Sequence, residues 1–148
     1  MRRMAAFVIV MIGLTGVARA QRVERINPPG LVATQTYSHV VKVGNLLFIA
    51  GQVGTDQSGA VVGSTMKAQA EQVLANLATA LTSQGAGVAN IAKITIFTTS
   101  IDEFRAPEVV ALRAKFFGAT VPASTLIQVQ RLASPDYKLE IEAIAVVP

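Results

Sequence analysis

Lys138-Leu-Glu-Ile-Glu-Ala-Ile-Ala-Val-Val147 is the stretch whose reading decides the fold. Side chains alternate across a strand, so Leu139, Ile141, Ala143 and Ala145 share one face while Glu140, Glu142, Ile144 and Val146 share the other. The first face suits a hydrophobic core. The second is too apolar to stay in water and too charged for an ordinary interior, and an oligomer interface that contains a polar pocket would satisfy both requirements.

The rest of the chain supplies elements that such a strand can join. Arg22 to Ile26 reads as a short lead strand, followed by the loop signal Pro28-Pro29-Gly30. His39 to Val43 and Leu46 to Ala50 flank Gly44-Asn45, a two-residue connection of the kind used by tight hairpins. The glycines and short polar residues from Gly51 to Gly59 mark a loop. From Met66 to about Ser83, Ala70, Val73, Leu74, Leu77, Ala78 and Leu81 recur at helical spacing, with Gln69, Gln72, Asn76 and Thr79 on the other side. Thr65 is suited to cap the start of this helix, and Gly85 or Gly87 to stop it.

Lys93 to Thr99 alternates β-branched and aromatic residues and predicts a strand. A second helix is predicted from Pro107 to Phe117, ended by Gly118. Ser124 to Leu132 and Lys138 to Val147 close the chain as two strands, and the turn-rich link Ala133 to Tyr137 suggests that they pair antiparallel. The predicted fold class is α+β: a two-layer sandwich in which one mixed, mostly antiparallel sheet carries two helices on one face.

Residues 1–20 stand apart, because Arg2 and Arg3 precede an apolar run and Ala18-Arg19-Ala20 offers small residues for cleavage. This is the pattern of a secretory signal peptide. It predicts a periplasmic or secreted protein, not membrane-bound once the signal is cleaved, with a single domain over residues 21–148. Arg2, Arg3 and Arg19 would leave with the signal, so ten Lys and Arg remain against nine Asp and Glu and the formal charge falls from +4 to +1. A nucleic acid partner is not expected at that charge. The chain contains no cysteine, which excludes disulfides, thiol nucleophiles and zinc-thiolate sites.

Pro122-Ala123 lies sixteen residues ahead of Leu139. Together with Gly44-Asn45, Ala50-Gly51-Gln52, Arg131-Leu132 and Leu139-Glu140-Ile141-Glu142-Ala143-Ile144-Ala145-Val146, it resembles the signature of the RidA family, the reactive intermediate deaminases, also called the YjgF family. The resemblance runs from about Tyr37 to the C-terminus. It implies a homotrimer with clefts between subunits, no cofactor, and a small-molecule ligand. It further implies hydrolysis of reactive enamines and imines, such as 2-imino acids, to carbonyl compounds and ammonia. Glu140 matches the catalytic acid that positions a water, and Tyr37 the aromatic residue that lines the cleft. Gly51, Gln52, Ser124 and Thr125 match substrate-binding positions.

At one of these positions the chain departs from the family. The residue after Pro-Ala is an arginine there, and it holds the substrate carboxylate; here it is Ser124. Two charge-assisted hydrogen bonds at about 1.5 to 3 kcal/mol each are thereby lost, so affinity for a 2-imino acid should fall by roughly tenfold to a thousandfold. The alternative expectation is a non-catalytic homologue that binds a neutral or differently charged ligand. His39, the one histidine, reads as a surface residue beside Ser38, and with no second histidine and scattered acids no metal site is expected.

Overall fold

The computed structural model describes residues 22–147, so the signal segment lies outside the described residues. Six strands and three helices follow the order β1 (Val23–Ile26), β2 (Val40–Val43), β3 (Leu46–Val53), α1 (Met66–Thr82), β4 (Ile91–Thr98), α2 (Ile101–Phe104), α3 (Pro107–Phe117), β5 (Ala123–Gln128) and β6 (Leu139–Val146). They form one sheet in the order β1-β2-β3-β6-β4-β5, with every neighbouring pair antiparallel except β4 and β5. The helices pack on one face, which is the two-layer α+β architecture anticipated above.

The closing strand sits in the middle of this sheet. Leu139, Ile141, Ala143 and Ala145 are all buried beneath the helices, with Val73, Leu74, Leu77 and Leu81 of α1 above them. Burial of a side chain such as Leu139 or Ile141 contributes about 1.5 to 3 kcal/mol, which is why the most regularly alternating strand takes the central place. The opposite face keeps Phe48, Leu46 and Val146 more than one-third exposed.

Local sequence explains most element ends. Gly44 has φ of 61° and no described non-glycine residue, Asn45 included, has positive φ, the type II′ arrangement that closes the β2–β3 hairpin at Val43 and Leu46. The Thr65 hydroxyl accepts from the Ala68 amide at the start of α1. Pro107 opens α3, and Gly118 ends it with φ of 55°.

Four expectations need correction. Gly51 and Gln52 lie within β3 rather than in a loop, and the pairing jumps from Ile49–Ala143 to Gln52–Ile141. This bulge inserts one extra β3 residue, so that Gln52 rather than Gly51 turns inward. Second, β5 ends at Gln128 and does not pair with β6. The helices between β4 and β5 form a crossover, which returns the chain parallel to β4 at the sheet edge. Third, the four-residue α2, capped by Ser100, is too short to leave a periodic signal.

Fourth, on the polar side of α1, Gln69 and Asn76 are buried. The Gln69 amide nitrogen donates to the Asp136 carbonyl at 2.8 Å and the Gly63 carbonyl at 3.3 Å, and its oxygen accepts from the Lys138 amide at 2.8 Å. Asn76 donates to the carbonyls of Val53 and Thr55 at 3.1 and 2.9 Å. Loop backbone that cannot pair within the sheet is satisfied by these two amides instead.

Replacing Gln69 with leucine keeps the volume but leaves buried backbone groups without partners. Gln69→Leu should lose about 2 kcal/mol of stability in denaturant unfolding. An unchanged midpoint would mean that the loop finds other partners.

Candidate active-site hollow

Glu140 leaves β6 on the face opposite the helices, beside Val53 of β3 and Phe97 of β4. Its carboxylate lies directly over Gly51. A Cβ at residue 51 would come within 2.6 Å of Glu140 Cδ and 2.8 Å of Cγ, closer than real contacts allow. Gly51 does not have positive φ, so its lack of a side chain matters here as space rather than as backbone freedom. The bulge brings this bare stretch of β3 against the acid.

Glu140 and Gly51 line a hollow of about 420 Å³ with Tyr37, Tyr137, Thr55 and Ala133. That size suits a small molecule. Among the described residues Glu140 is the one charged side chain in its walls, and no hydrogen bond reaches its carboxylate. Burial pushes the Glu140 carboxyl above its ordinary value, and the neighbouring charge of Glu142 pushes it in the same direction. The Tyr37 phenol is also raised, first by burial and then by Tyr137 and Glu140, so it remains a protonated hydrogen-bond donor.

The position of Tyr37 depends on groups beneath it. Its ring meets His39 edge-on at 5.4 Å. His39 is only 2 % exposed, contrary to its reading as a surface residue, because its ring, just ahead of β2, reaches the Val32 carbonyl and Gln52. The His39 Nε2 lies 2.8 Å from the Val32 carbonyl, which requires that nitrogen to donate, and leaves Nδ1 to accept from the Gln52 amide at 3.3 Å. Gln52 also donates to the Ala50 carbonyl at 2.8 Å. Gln52 therefore lies below the hollow and reaches it through His39 and Tyr37.

The remaining candidates lie elsewhere in the chain. Parallel pairing aligns Ser124 with Ile94, on the helix side of edge strand β5, and Thr125 with Thr95, on the Glu142 side. In the row of Glu140 the β5 residue is Ile127, so Ser124 is two strand spacings, about 10 Å, across the sheet and three residues, about 10 Å, along it. Both Ser124 and Thr125 are exposed. One chain thus gathers Tyr37, Gly51 and Glu140 and leaves Ser124 and Thr125 outside.

Tyr137 is a lining residue that the sequence reading left unassigned, although an aromatic residue one position ahead of Lys-Leu-Glu-Ile-Glu was a usable signal. Gln69 fixes the backbone on both sides of it. Among the described residues no group of three metal-ligating side chains occurs, and no helix is long and apolar enough to cross a membrane.

The sequence profile of endoribonuclease L-PSP matches residues 29–147. A RutC family protein of Pyrococcus horikoshii is 37% identical over 110 residues, covering 74% of this chain and 85% of that protein. A 2-iminobutanoate/2-iminopropanoate deaminase of Salmonella typhimurium is 35% identical over 113 residues, covering 74% of this chain and 86% of the deaminase. Among solved structures, Escherichia coli TdcF with bound serine superposes with a TM-score of 0.71 at 33% identity, covering 80% of this chain and 94% of that one. The Rid family protein YyfA of Yersinia pestis gives 0.78 at 29%, covering 85% and 100%.

Gly51→Ala tests the approach of the acid to β3. The added methyl group should displace the Glu140 side chain, a movable neighbour, at a cost of about 1 to 3 kcal/mol. Glu140→Ala in the same chain should restore most of that loss. Additive losses in the double-mutant cycle would show that the two residues do not press on one another.

Proposed function

Because this chain belongs to the endoribonuclease L-PSP family, which includes the RidA deaminases, we propose that it hydrolyses small reactive imines and enamines to carbonyl compounds and ammonia. The observation that carries this reading is the Glu140 carboxylate, half-buried and unpartnered in a hollow of about 420 Å³. A carboxylate so placed can take a proton from water as the water oxygen adds to the C=N carbon, and return it to nitrogen as ammonia departs. Tyr37, kept protonated, supplies a donor to the substrate or to the water.

In this reading the working unit is a homotrimer. Support comes from the exposed Phe48, Leu46 and Val146 on the free sheet face, and from the distance between Ser124 and Glu140 within one chain. Ser124 and Thr125 of the partner subunit would complete each cleft. The segment 1–20 directs the protein to the periplasm or outside the cell in the same proposal. Nucleic acid is not its partner, since the hollow presents an acid and no row of cations.

A second reading, ligand binding without turnover, is favoured by Ser124 itself. Where the family places the arginine that grips a carboxylate, this chain offers only hydroxyl and backbone donors.

Glu140→Gln should lower kcat/KM for ammonia release from freshly generated imines by roughly a hundredfold or more. Glu140 must be ionised to accept the proton, and its pKa is raised, so the rate should fall on acidification at a pH above the ordinary glutamate range. Equal rates for both proteins and for buffer would eliminate the deaminase reading.

Native and denatured mass spectrometry of the protein purified after export should give three times the mass of a subunit that begins at Gln21. A monomer would end the trimer proposal, and a subunit that retains residues 1–20 would end that of cleavage.

A further inference from the structure

Building on the deaminase reading, we infer that the hollow selects carboxylate-free imines in their cationic, iminium form, the products of two-electron oxidation of primary amines, over anionic 2-imino acids. Charge on the walls is the first reason. Among the described residues Glu140 is their one charged side chain, so an entering carboxylate meets a like charge and an entering iminium meets an opposite one. Tyr37 and Tyr137, which both line the hollow, are the second reason, because aromatic rings attract cations.

Three of the described cations are engaged elsewhere. Arg113 lies over the Phe104 ring at 4.2 Å in the helix layer. Lys138 pairs with Glu103 at 3.0 Å. The Arg131 Nε donates to the Leu132 carbonyl, and its side chain lines a separate hollow that shares only the Tyr137 wall. Ser124, whichever subunit presents it, adds no positive charge.

The reaction balances without a cofactor. Glu140 takes a proton from water as the oxygen bonds to the carbon of R–CH=NH2⁺, and the C=N π pair returns to nitrogen, giving a neutral carbinolamine. The protonated Glu140 then returns its proton to nitrogen, the C–N bond breaks, and the hydroxyl proton passes to the departing ammonia. Iminium and water become aldehyde and ammonium, and Glu140 is regenerated.

The test measures kcat/KM for an imine generated in place from a small primary amine by an amine oxidase. The comparison is a 2-imino acid of similar size generated by an amino acid oxidase. Propionamidinium and propionate are titrated in parallel as non-reacting cationic and anionic probes. Iminium hydrolysis at least tenfold more efficient than 2-imino acid hydrolysis, with inhibition by propionamidinium alone, would support the inference. Equal or better hydrolysis of the 2-imino acid would overturn the substrate class while leaving the deaminase reading intact.

Hydrolysis of neither substrate, with amidinium binding at least tenfold weaker in Glu140→Gln, would support the cation site and remove the deaminase activity. No hydrolysis and no amidinium binding would overturn both. A melting curve confirms that Glu140→Gln is folded, and Tyr137→Leu, which leaves the acid in place, should weaken amidinium binding several-fold while sparing propionate.

Discussion

Everything in this molecule depends on β6 being held between β3 and β4 with its two faces serving opposite purposes. A strand cannot rotate one residue without exchanging all its side chains between faces. Leu139, Ile141, Ala143 and Ala145 beneath α1 therefore oblige Glu140 and Glu142 to appear on the far side of the sheet. Each apolar contact that stabilises the core also holds Glu140 in place. The register shift at Ile49 and Gln52 adds the complementary condition, a glycine backbone against which that acid can lie.

The supports around the hollow are polar and mostly hidden. Gln69 fixes Asp136 and Lys138 on either side of Tyr137, Asn76 holds the end of β3 and the following turn, and Gln52 orients His39 behind Tyr37. Each buried amide satisfies backbone or ring atoms that would otherwise stand unpaired, so their loss costs both stability and geometry. In contrast, Glu140 has no such partner and a carboxyl pushed upward by burial and by Glu142. A polar group left unsatisfied among satisfied ones is where reactivity is to be sought.

Chemistry and charge here point in different directions, and that tension is informative. The family and the placement of Glu140 favour hydration of a C=N bond. Ser124, and walls in which the described residues include no cation, argue against the carboxylate that the family's arginine would hold. The proposed cationic, carboxylate-free substrate would satisfy both, since it would use Glu140 twice, for attraction and for proton transfer.

Alternation in Leu139-Glu140-Ile141-Glu142, the Gly44-Asn45 turn, the period of α1 and the Pro107 and Gly118 boundaries were all legible by sequence alone, because each rests on interactions within a few residues. The two-layer class followed from these elements taken together, and the family resemblance singled out Glu140 as the candidate acid. Only the tertiary structure decided that β5 runs beside β4, that Gln69, Asn76 and His39 are buried, and that Tyr137 joins Tyr37 at the hollow. It also decided that Gly51 serves as space for Glu140 and that Ser124 stands about two strands away from that acid. These are products of pairing between distant segments, where a one-residue bulge or a helical crossover changes every neighbour without changing any local pattern.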